Sequence, residues 1–221
     1  MGQRILVINP NSSERVTRDI DAAVECLRFK RGPAIDCATL AEGPQGIENQ
    51  VQVDSVVLPL LKLAEQESHR TSAYVIACFS DPGLYSLRER LAQPVLGIAE
   101  SGIAVALTRG ERFGIISILA RSIPRHRRYV TSLGLAGRMA GDRAVGLQVS
   151  ELPDADRVME RLRAVGNELH HRDGADVLVL GCAGMAGYRQ ALQEHMGIPV
   201  VDPTQAAVGL ALAALMSEAV S

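Results

Sequence analysis

The sequence repeats one pattern twice, an apolar run that ends in a cysteine and is followed by small or polar residues. The first copy, at residues 74–78, reads YVIAC, and the second, at residues 178–182, reads LVLGC. Each cysteine is followed by a helical stretch, by a proline that opens a short apolar run (Pro94 or Pro199), and by a long apolar helix. The cysteines lie 104 residues apart and the prolines 105, so one residue of slippage aligns the two halves. This repeat predicts two similar lobes that each place a thiol at the tip of a strand.

Strand-like and helix-like segments alternate along the whole chain. Such alternation is typical of parallel sheets flanked by helices, so we predict an α/β fold with two lobes. The first lobe is expected at residues 1–97 plus 207–221 and the second at 98–206, because the apolar helix after residue 97 crosses into the second lobe and the last helix returns to the first. The predicted strands lie at residues 3–9, 34–40, 73–78, 95–97, 112–118, 143–147, 176–181 and 199–201.

Polar and thiol side chains stand where several of these predicted strands end. Ligands of open parallel sheets bind outside the carboxyl ends of the strands. The cleft between the two lobes is therefore the candidate site. The residues expected at those strand ends are Asn9, Asn11, Cys78, Ser117 and Cys182.

The residues behind each cysteine predict that helix N-termini activate both thiols. Asp81 can cap a helix whose first residue is Pro82, and Ala183 and Gly184 open another helix whose first amides no large side chain crowds. The positive end of a helix dipole lowers the pKa of a nearby thiol, and the first amides can bind a carboxylate or an enolate oxygen. One thiolate can then remove a proton from one face of a carbon acid while the second thiol returns a proton to the other face. The expected outcome is inversion or racemisation.

The composition favours a small-molecule substrate over nucleic acid or a membrane. The 221 residues are 47% hydrophobic and 3% aromatic with a net charge of −2, so no basic surface with stacking rings is indicated. The first residues lack the apolar core of a signal peptide and no apolar run reaches membrane-spanning length, which predicts a cytoplasmic protein. The basic cluster at residues 125–128 follows Pro124 and is interpreted as the solvated first turn of a helix, with capture of an anionic ligand as the alternative.

We predict no cofactor and no metal ion. A pyridoxal phosphate enzyme needs a Schiff-base lysine, and the two lysines, Lys30 and Lys62, lie in predicted helices away from strand ends. No glycine-rich phosphate-binding motif follows the first strand, and the five histidines show no ligand spacing. The four cysteines are expected to be thiols rather than a disulfide framework, with Cys26 in a helix and Cys37 in a strand as structural residues.

Three motifs together resemble the aspartate/glutamate/hydantoin racemase superfamily, and within it the hydantoin racemases. They are INPNSS at residues 8–13, ACFSDPGL at 77–84 and LGCAGM at 180–185. The resemblance covers nearly the whole chain and implies two Rossmann-like α/β/α lobes in pseudo-twofold relation. It also implies a homo-oligomer and a cofactor-independent two-base mechanism with Cys78 and Cys182 as the catalytic pair.

The motifs also separate branches of this superfamily. Glutamate and aspartate racemases carry Asn-Thr after the first cysteine and commonly Thr-His after the second, whereas this chain has Phe79-Ser80 and Ala183-Gly184. That departure weakens a free amino acid as the substrate. Arylmalonate decarboxylases keep only the second cysteine, so Cys78 argues against decarboxylation. Maleate-type cis–trans isomerases keep both cysteines and stay an alternative, as does a non-enzymatic module that binds a small anion.

A 5-substituted hydantoin, or allantoin, is the substrate that this reasoning favours. The C5 proton lies beside a ring carbonyl and an amide nitrogen, and the neutral ring needs few charged groups to hold it. Asn11 and Ser80 can hydrogen-bond the ring, although capping of the first helix is an equally open role for Asn11. The sequence leaves the 5-substituent and the preferred enantiomer open. The predicted substrate-binding residues are Asn11, Phe79, Ser80, Ser117, Ile118, Ala183 and Gly184.

Overall fold

The computed structural model describes residues 2–148, 151–152 and 154–218. The chain divides into two compact units, one made of residues up to Ser101 together with those from Thr204 onward, and one made of Gly102–Pro203. The first boundary therefore falls inside the helix that follows residue 97, and the second falls at the start of the last helix.

The first unit holds a four-stranded parallel sheet with the strand order β2-β1-β3-β4. The helix α5 begins in this unit and α9 belongs to it from Thr204 onward. Its elements are β1 (Arg4–Asn9), α1 (Glu14–Val24), β2 (Ala34–Thr39), α2 (Gln50–Ser55), α3 (Val57–Glu67), β3 (Ala73–Ile76), α4 (Leu84–Arg90), β4 (Val95–Gly97), α5 (Ile98–Ala106) and α9 (Pro203–Glu218).

The second unit repeats this arrangement with the strand order β6-β5-β7-β8, again all parallel. Each strand takes the place of the strand four earlier, so the predicted α/β fold with an internal repeat is confirmed. The elements are β5 (Phe113–Ser117), α6 (Ile123–Ser132), β6 (Met139–Ala144), α7 (Ala155–Asn167), β7 (Val177–Leu180), α8 (Arg189–Met196) and β8 (Val200–Val201).

The central strands are buried on both faces, which explains why they read as continuous apolar runs. Residues 5–8 of β1 and residues 177–180 of β7 are all at most 1% exposed. Parallel strands covered by helices on both faces have this pattern because neither face meets water. In the first unit, side chains of β1 and β3 pack with α3 and α4, and in the second, side chains of β5 and β7 pack with α7 and α8.

The sixth strand lies about four residues earlier than the sequence predicts. The sequence predicts residues 143–147, whereas the ladder with β5 uses Met139–Ala144. This strand is at the edge of its sheet and is only partly buried, and its sequence, MAGDRA, contains no continuous run of large apolar residues. The apolar signal comes from Val145 and Leu147, which are buried just after the strand. The apolar residues therefore indicate the segment that enters the core rather than the segment that pairs with β5.

None of the helices in the described ranges combines the length and the apolar character needed to cross a membrane.

Candidate active site

The first cysteine follows β3 directly in a tight turn. Strand β3 ends at Ile76, and the amide of Ala77 still donates to the carbonyl of Ile8 at 2.8 Å. The amide of Cys78 turns back to the carbonyl of Ile76 at 3.0 Å. Cys78 is half-buried. The turn thus places a partly accessible thiol at the carboxyl end of the strand, as the sequence predicts.

The second cysteine follows β7 in the same way. Gly181 donates its amide to the carbonyl of Ile116 at 2.8 Å, and Cys182 after it is half-buried. A Cβ on residue 181 would lie 2.7 Å from the Ile116 carbonyl oxygen, so this close approach of two backbones requires glycine. A 3₁₀ helix, Ala183–Tyr188, begins directly after Cys182.

The strand registers make the two cysteines equivalent positions. Ile8 pairs with Ile76 in the first sheet, and Ile116 pairs with Leu180 in the second. Each cysteine stands two residues beyond the last paired residue of its strand. The predicted repeat therefore holds at the level of individual hydrogen bonds, and it brings each thiol to the same place in its own unit.

A network of side chains shapes the loop after β1. Asn11 Oδ1 accepts from Asn9 Nδ2 at 3.0 Å and from the amide of Ser13 at 2.9 Å. Asn9 Nδ2 also lies within hydrogen-bond distance of Thr17 Oγ1. The N-cap of α1 is Ser13, whose Oγ accepts from the amide of Val16, so Asn11 does not cap this helix. The Asn11 carbonyl group is used within the loop, and its Nδ2 is the group that can serve a ligand.

Asp81 binds a different helix from the one that the sequence predicts. The helix after the cysteine turn begins at Leu84 rather than Pro82, and Gly83 precedes it. The Asp81 carboxylate instead accepts from the amides of Ala99 and Glu100, both at 2.9 Å, at the N-terminus of α5. Five residues thus separate Cys78 from its following helix, so the predicted helix N-terminus beside this thiol is wrong, whereas Cys182 does precede a helical turn directly.

The remaining predicted site residues cluster by unit. In the first unit Phe79 is buried and Ser80 half-buried beside Cys78, and the neighbouring strand β1 leads to Asn11. In the second unit Ser117 is the last residue of β5 and Ile118 follows it, beside the segment after β7. That segment carries Cys182 and the buried Ala183 and Gly184. Within each unit, the predicted residues therefore meet at the carboxyl ends of two adjacent strands.

Ser117 belongs to a buried polar cluster that the sequence analysis missed. Its hydroxyl donates to Asp142 Oδ1 at 2.5 Å and lies 3.0 Å from His126 Nδ1, which is 2.9 Å from Asp142 Oδ2. Ser117 is fully buried, and His126 and Asp142 are 4% and 6% exposed. The cluster ties α6 and the edge strand β6 to the end of β5.

His126 corrects the interpretation of the basic cluster in α6. Arg127 and Arg128 are exposed as expected, but His126 points into the unit. The helix is amphipathic, and His126 shares its buried face with Val130 four residues later. The four-residue spacing of His126 and Val130 is a sequence signal for the burial of His126, because Arg127 and Arg128 do not lie on the same helix face.

The other two thiols lie away from the two strand-end loops. Cys37 lies in β2, where burial, with the nearby Asp21 as a further cause, raises the pKa of its thiol to about 12. Cys26 is exposed in a short 3₁₀ helix after α1. All four cysteines are free thiols in this structure. In the described ranges, no group of three or more His, Cys, Asp or Glu side chains is placed to hold a metal ion.

Comparison with known proteins defines the class of this fold and site. The solved structure of the allantoin racemase from Klebsiella pneumoniae has the same fold, with a TM-score of 0.91 at 29% identity over 98% of this chain and 89% of its own. The hydantoin racemases of Paenarthrobacter aurescens and Rhizobium meliloti are each 36% identical to this chain. Their alignments cover 94% and 96% of it and 89% and 88% of their own lengths.

These similarities make the protein a racemase, an enzyme of the isomerase class. The family model for Asp/Glu/Hydantoin racemase matches residues 5–211. The chain belongs to this Asp/Glu/hydantoin racemase family, which confirms the resemblance seen in the three sequence motifs.

Proposed function

We propose that the protein racemises 5-substituted hydantoins, or allantoin, by proton transfer between Cys78 and Cys182 without a cofactor. The observation that carries the proposal is the equivalence of the two thiols. Both stand two residues beyond the last paired residue of the third strand of their unit, and both are half-buried. A reaction that must work on two faces of one carbon needs such a pair of acid–base groups.

The proposed reaction balances with these two groups alone. One cysteine, as thiolate, takes the C5 proton and leaves an enolate whose negative charge rests on the neighbouring carbonyl oxygen. The other cysteine, as thiol, gives its proton to the opposite face of C5 and becomes the thiolate. The two cysteines exchange roles when the opposite enantiomer binds, so the enzyme is ready for the reverse reaction after each turnover.

The substrate class is supported by the relatives and by the loop chemistry. The named relatives are hydantoin racemases and an allantoin racemase. A neutral ring needs hydrogen bonds rather than charged clamps, and we assign the Asn11 amide nitrogen and the Ser80 hydroxyl to its carbonyl and N–H groups. Phe79, Ile118 and Ala183 complete the proposed contacts through their backbone amides, with Gly184 beside them.

Ser117 has a more indirect place in this proposal. Its hydroxyl is committed to Asp142 and its side chain is fully buried. We therefore assign Ser117 the task of holding the segment that presents Ile118. The family resemblance also predicts a homo-oligomer, which sedimentation of the intact chain would test.

The test is the fate of enantiopure substrate in D₂O. Enantiopure 5-benzylhydantoin and enantiopure allantoin are incubated with the enzyme, and optical rotation and C5 deuteration are followed against an enzyme-free control. Loss of rotation together with deuterium uptake, faster than in the control, is expected for at least one substrate. The same result with enzyme passed through a chelating and desalting column supports the absence of a cofactor.

The variant C26S is the matched control for substitutions of Cys78 and Cys182, because Cys26 is exposed and lies outside both strand-end loops. It is expected to keep full activity. Unchanged rotation with both compounds would overturn the proposal. Conversion of maleate to fumarate would then identify a cis–trans isomerase, and racemisation of aspartate or glutamate would identify an amino-acid racemase. Binding of a small dicarboxylate without turnover would identify a binding module.

A further inference from the structure

Asp81 connects the cysteine turn of the first unit to a helix elsewhere in the same unit. Its amide donates to the carbonyl of Cys78 at 2.9 Å. Its two carboxylate oxygens accept from the amides of Ala99 and Glu100, each at 2.9 Å, in the first turn of α5. A single residue thus holds the thiol-bearing turn through its backbone and the helix through its side chain.

The surroundings of Asp81 are built around this connection. Its φ angle is +42°, in the left-handed region, which aspartate adopts more readily than most residues other than glycine. Gly97 ends β4 directly below the carboxylate, and a Cβ on residue 97 would overlap the carboxylate atoms. Asp81 is only 6% exposed, and the positive end of a helix is a favourable place for its buried charge.

In the part of the second unit that the structure describes, the backbone half of this connection recurs but the carboxylate half does not. The residue three positions beyond Cys182 is Met185, which is apolar and fully buried in the core of that unit. The amide of Met185 donates to the carbonyl of Cys182 at 3.1 Å, as the amide of Asp81 does to that of Cys78, but here the bond begins the 3₁₀ helix Ala183–Tyr188. The carboxylate anchor therefore serves the turn that has no helix directly behind its cysteine.

We propose that Asp81 is a positioning residue that fixes the Cys78 thiol for proton transfer by tying its turn to the N-terminus of α5. This inference rests on the proposed function of Cys78. Hydrogen bonds from amides to an ionised carboxylate are stronger than those between neutral groups, so the tie is stiff. Proton transfer depends steeply on the distance between the reacting atoms, so a small movement of the turn has a large effect on rate.

The decisive experiment compares D81N and G97A with the unaltered enzyme. In D81N the side-chain NH₂ group faces an amide donor, so one of the two helix bonds is lost. G97A keeps the Asp81 side chain unaltered but adds a methyl group in the space that its carboxylate occupies. Both variants are expected to lower kcat about 10–100-fold with KM changed less than about threefold. The control G209A adds a methyl group where nothing lies within 4 Å and is expected to leave kcat unchanged.

The second readout is the rate of iodoacetamide alkylation at each cysteine, measured by peptide mass spectrometry across a range of pH. In both variants the alkylation rate of Cys78 is expected to change severalfold at one or more pH values. The alkylation rate of Cys182 in the same chain is expected to stay within about twofold of its value in the unaltered protein. Circular dichroism confirms that each variant is folded.

Two results would overturn the inference. In the first, both variants have a kcat and a Cys78 alkylation rate within about twofold of those of the unaltered enzyme. The other is an equal change at Cys78 and Cys182, which would mean a general loss of structure. If C78A itself kept full racemase activity, the proposed function would fail, whereas the alkylation readout would still decide whether Asp81 positions Cys78.

Discussion

The two cysteine loops occupy equivalent positions and are held there by different means. The strand registers and the hydrogen bonds from residues 77 and 181 to the first strand of each sheet match closely. Behind the thiols the loops diverge, because one uses a carboxylate bound to a distant helix and the other a helical turn that starts at once. The comparison shows that the repeat preserves the position of the thiol, whereas the contacts that support the loop differ between the two units.

The largest effect is expected when either of the two equivalent cysteines is replaced. C78S and C182S are each expected to lose racemisation by about 10²–10⁴-fold, because a serine hydroxyl is a poor acid–base group at neutral pH. Each variant keeps one cysteine and should exchange the C5 proton of only one enantiomer with D₂O, with retention. NMR of the two separate enantiomers measures this. Exchange of the same enantiomer by both variants would contradict the assignment of the thiols to opposite faces.

A reciprocal exchange of the residues before the cysteines tests the second unit against the first. G181A brings a methyl group against the Ile116 carbonyl and is expected to cost about 1–3 kcal/mol of unfolding free energy and to lower kcat. A77G removes a methyl group at the equivalent position and is expected to cost no more than about 1 kcal/mol. Urea unfolding monitored by circular dichroism gives both values. A costlier A77G than G181A would show that the two strand ends are not equivalent in packing.

The buried cluster behind β5 should matter for stability. S117A removes the hydroxyl that donates to the buried Asp142, and the expected loss of unfolding free energy is about 1–3 kcal/mol. The control is S132A, because Ser132 is exposed at the end of α6. Thermal unfolding of both variants makes the comparison. A loss no larger than that of the control would mean that the cluster adds nothing to stability.

The smallest expected effect concerns acid stability in the first unit. A hydrogen bond from Arg70, together with one from Arg4, lowers the pKa of Glu67 from 4.5 to about 2. Because the folded-state pKa lies below the ordinary value, the contribution is complete above pH 4.5 and is lost as the pH falls toward 2. With solvent screening it is about 1 kcal/mol. Urea unfolding of E67Q should show a smaller loss of stability between pH 5 and 3 than the unaltered protein. An identical pH dependence would contradict the assignment.

The sequence predicts the strands and their thiols well because these features are local. A strand such as β3, buried on both faces, must be apolar over its whole length, so its position and the cysteine after it are visible in a few consecutive residues. The repetition of this pattern then predicts the second sheet. The edge strand β6 shows the limit of that reasoning, since its pairing residues face partly into water and the apolar signal belongs to Val145 and Leu147 beyond it.

The features that the sequence could not predict depend on partners distant in the chain. Asp81 and Pro82 form a valid helix-start signal, yet the carboxylate binds amides 18 and 19 residues away. His126 stands among exposed arginines, yet it reaches Asp142 in another element. In both cases the local pattern is compatible with more than one outcome.

The sequence by itself determined the α/β class, the internal repeat and the two strand-end cysteines, because burial of a parallel strand and the end of that burial are encoded in consecutive residues. Only the tertiary structure decided which helix Asp81 stabilises, that His126 bonds Asp142, and which network holds Asn11. These outcomes arise because a buried polar group must find its hydrogen-bond partner wherever the packing of the other elements places one.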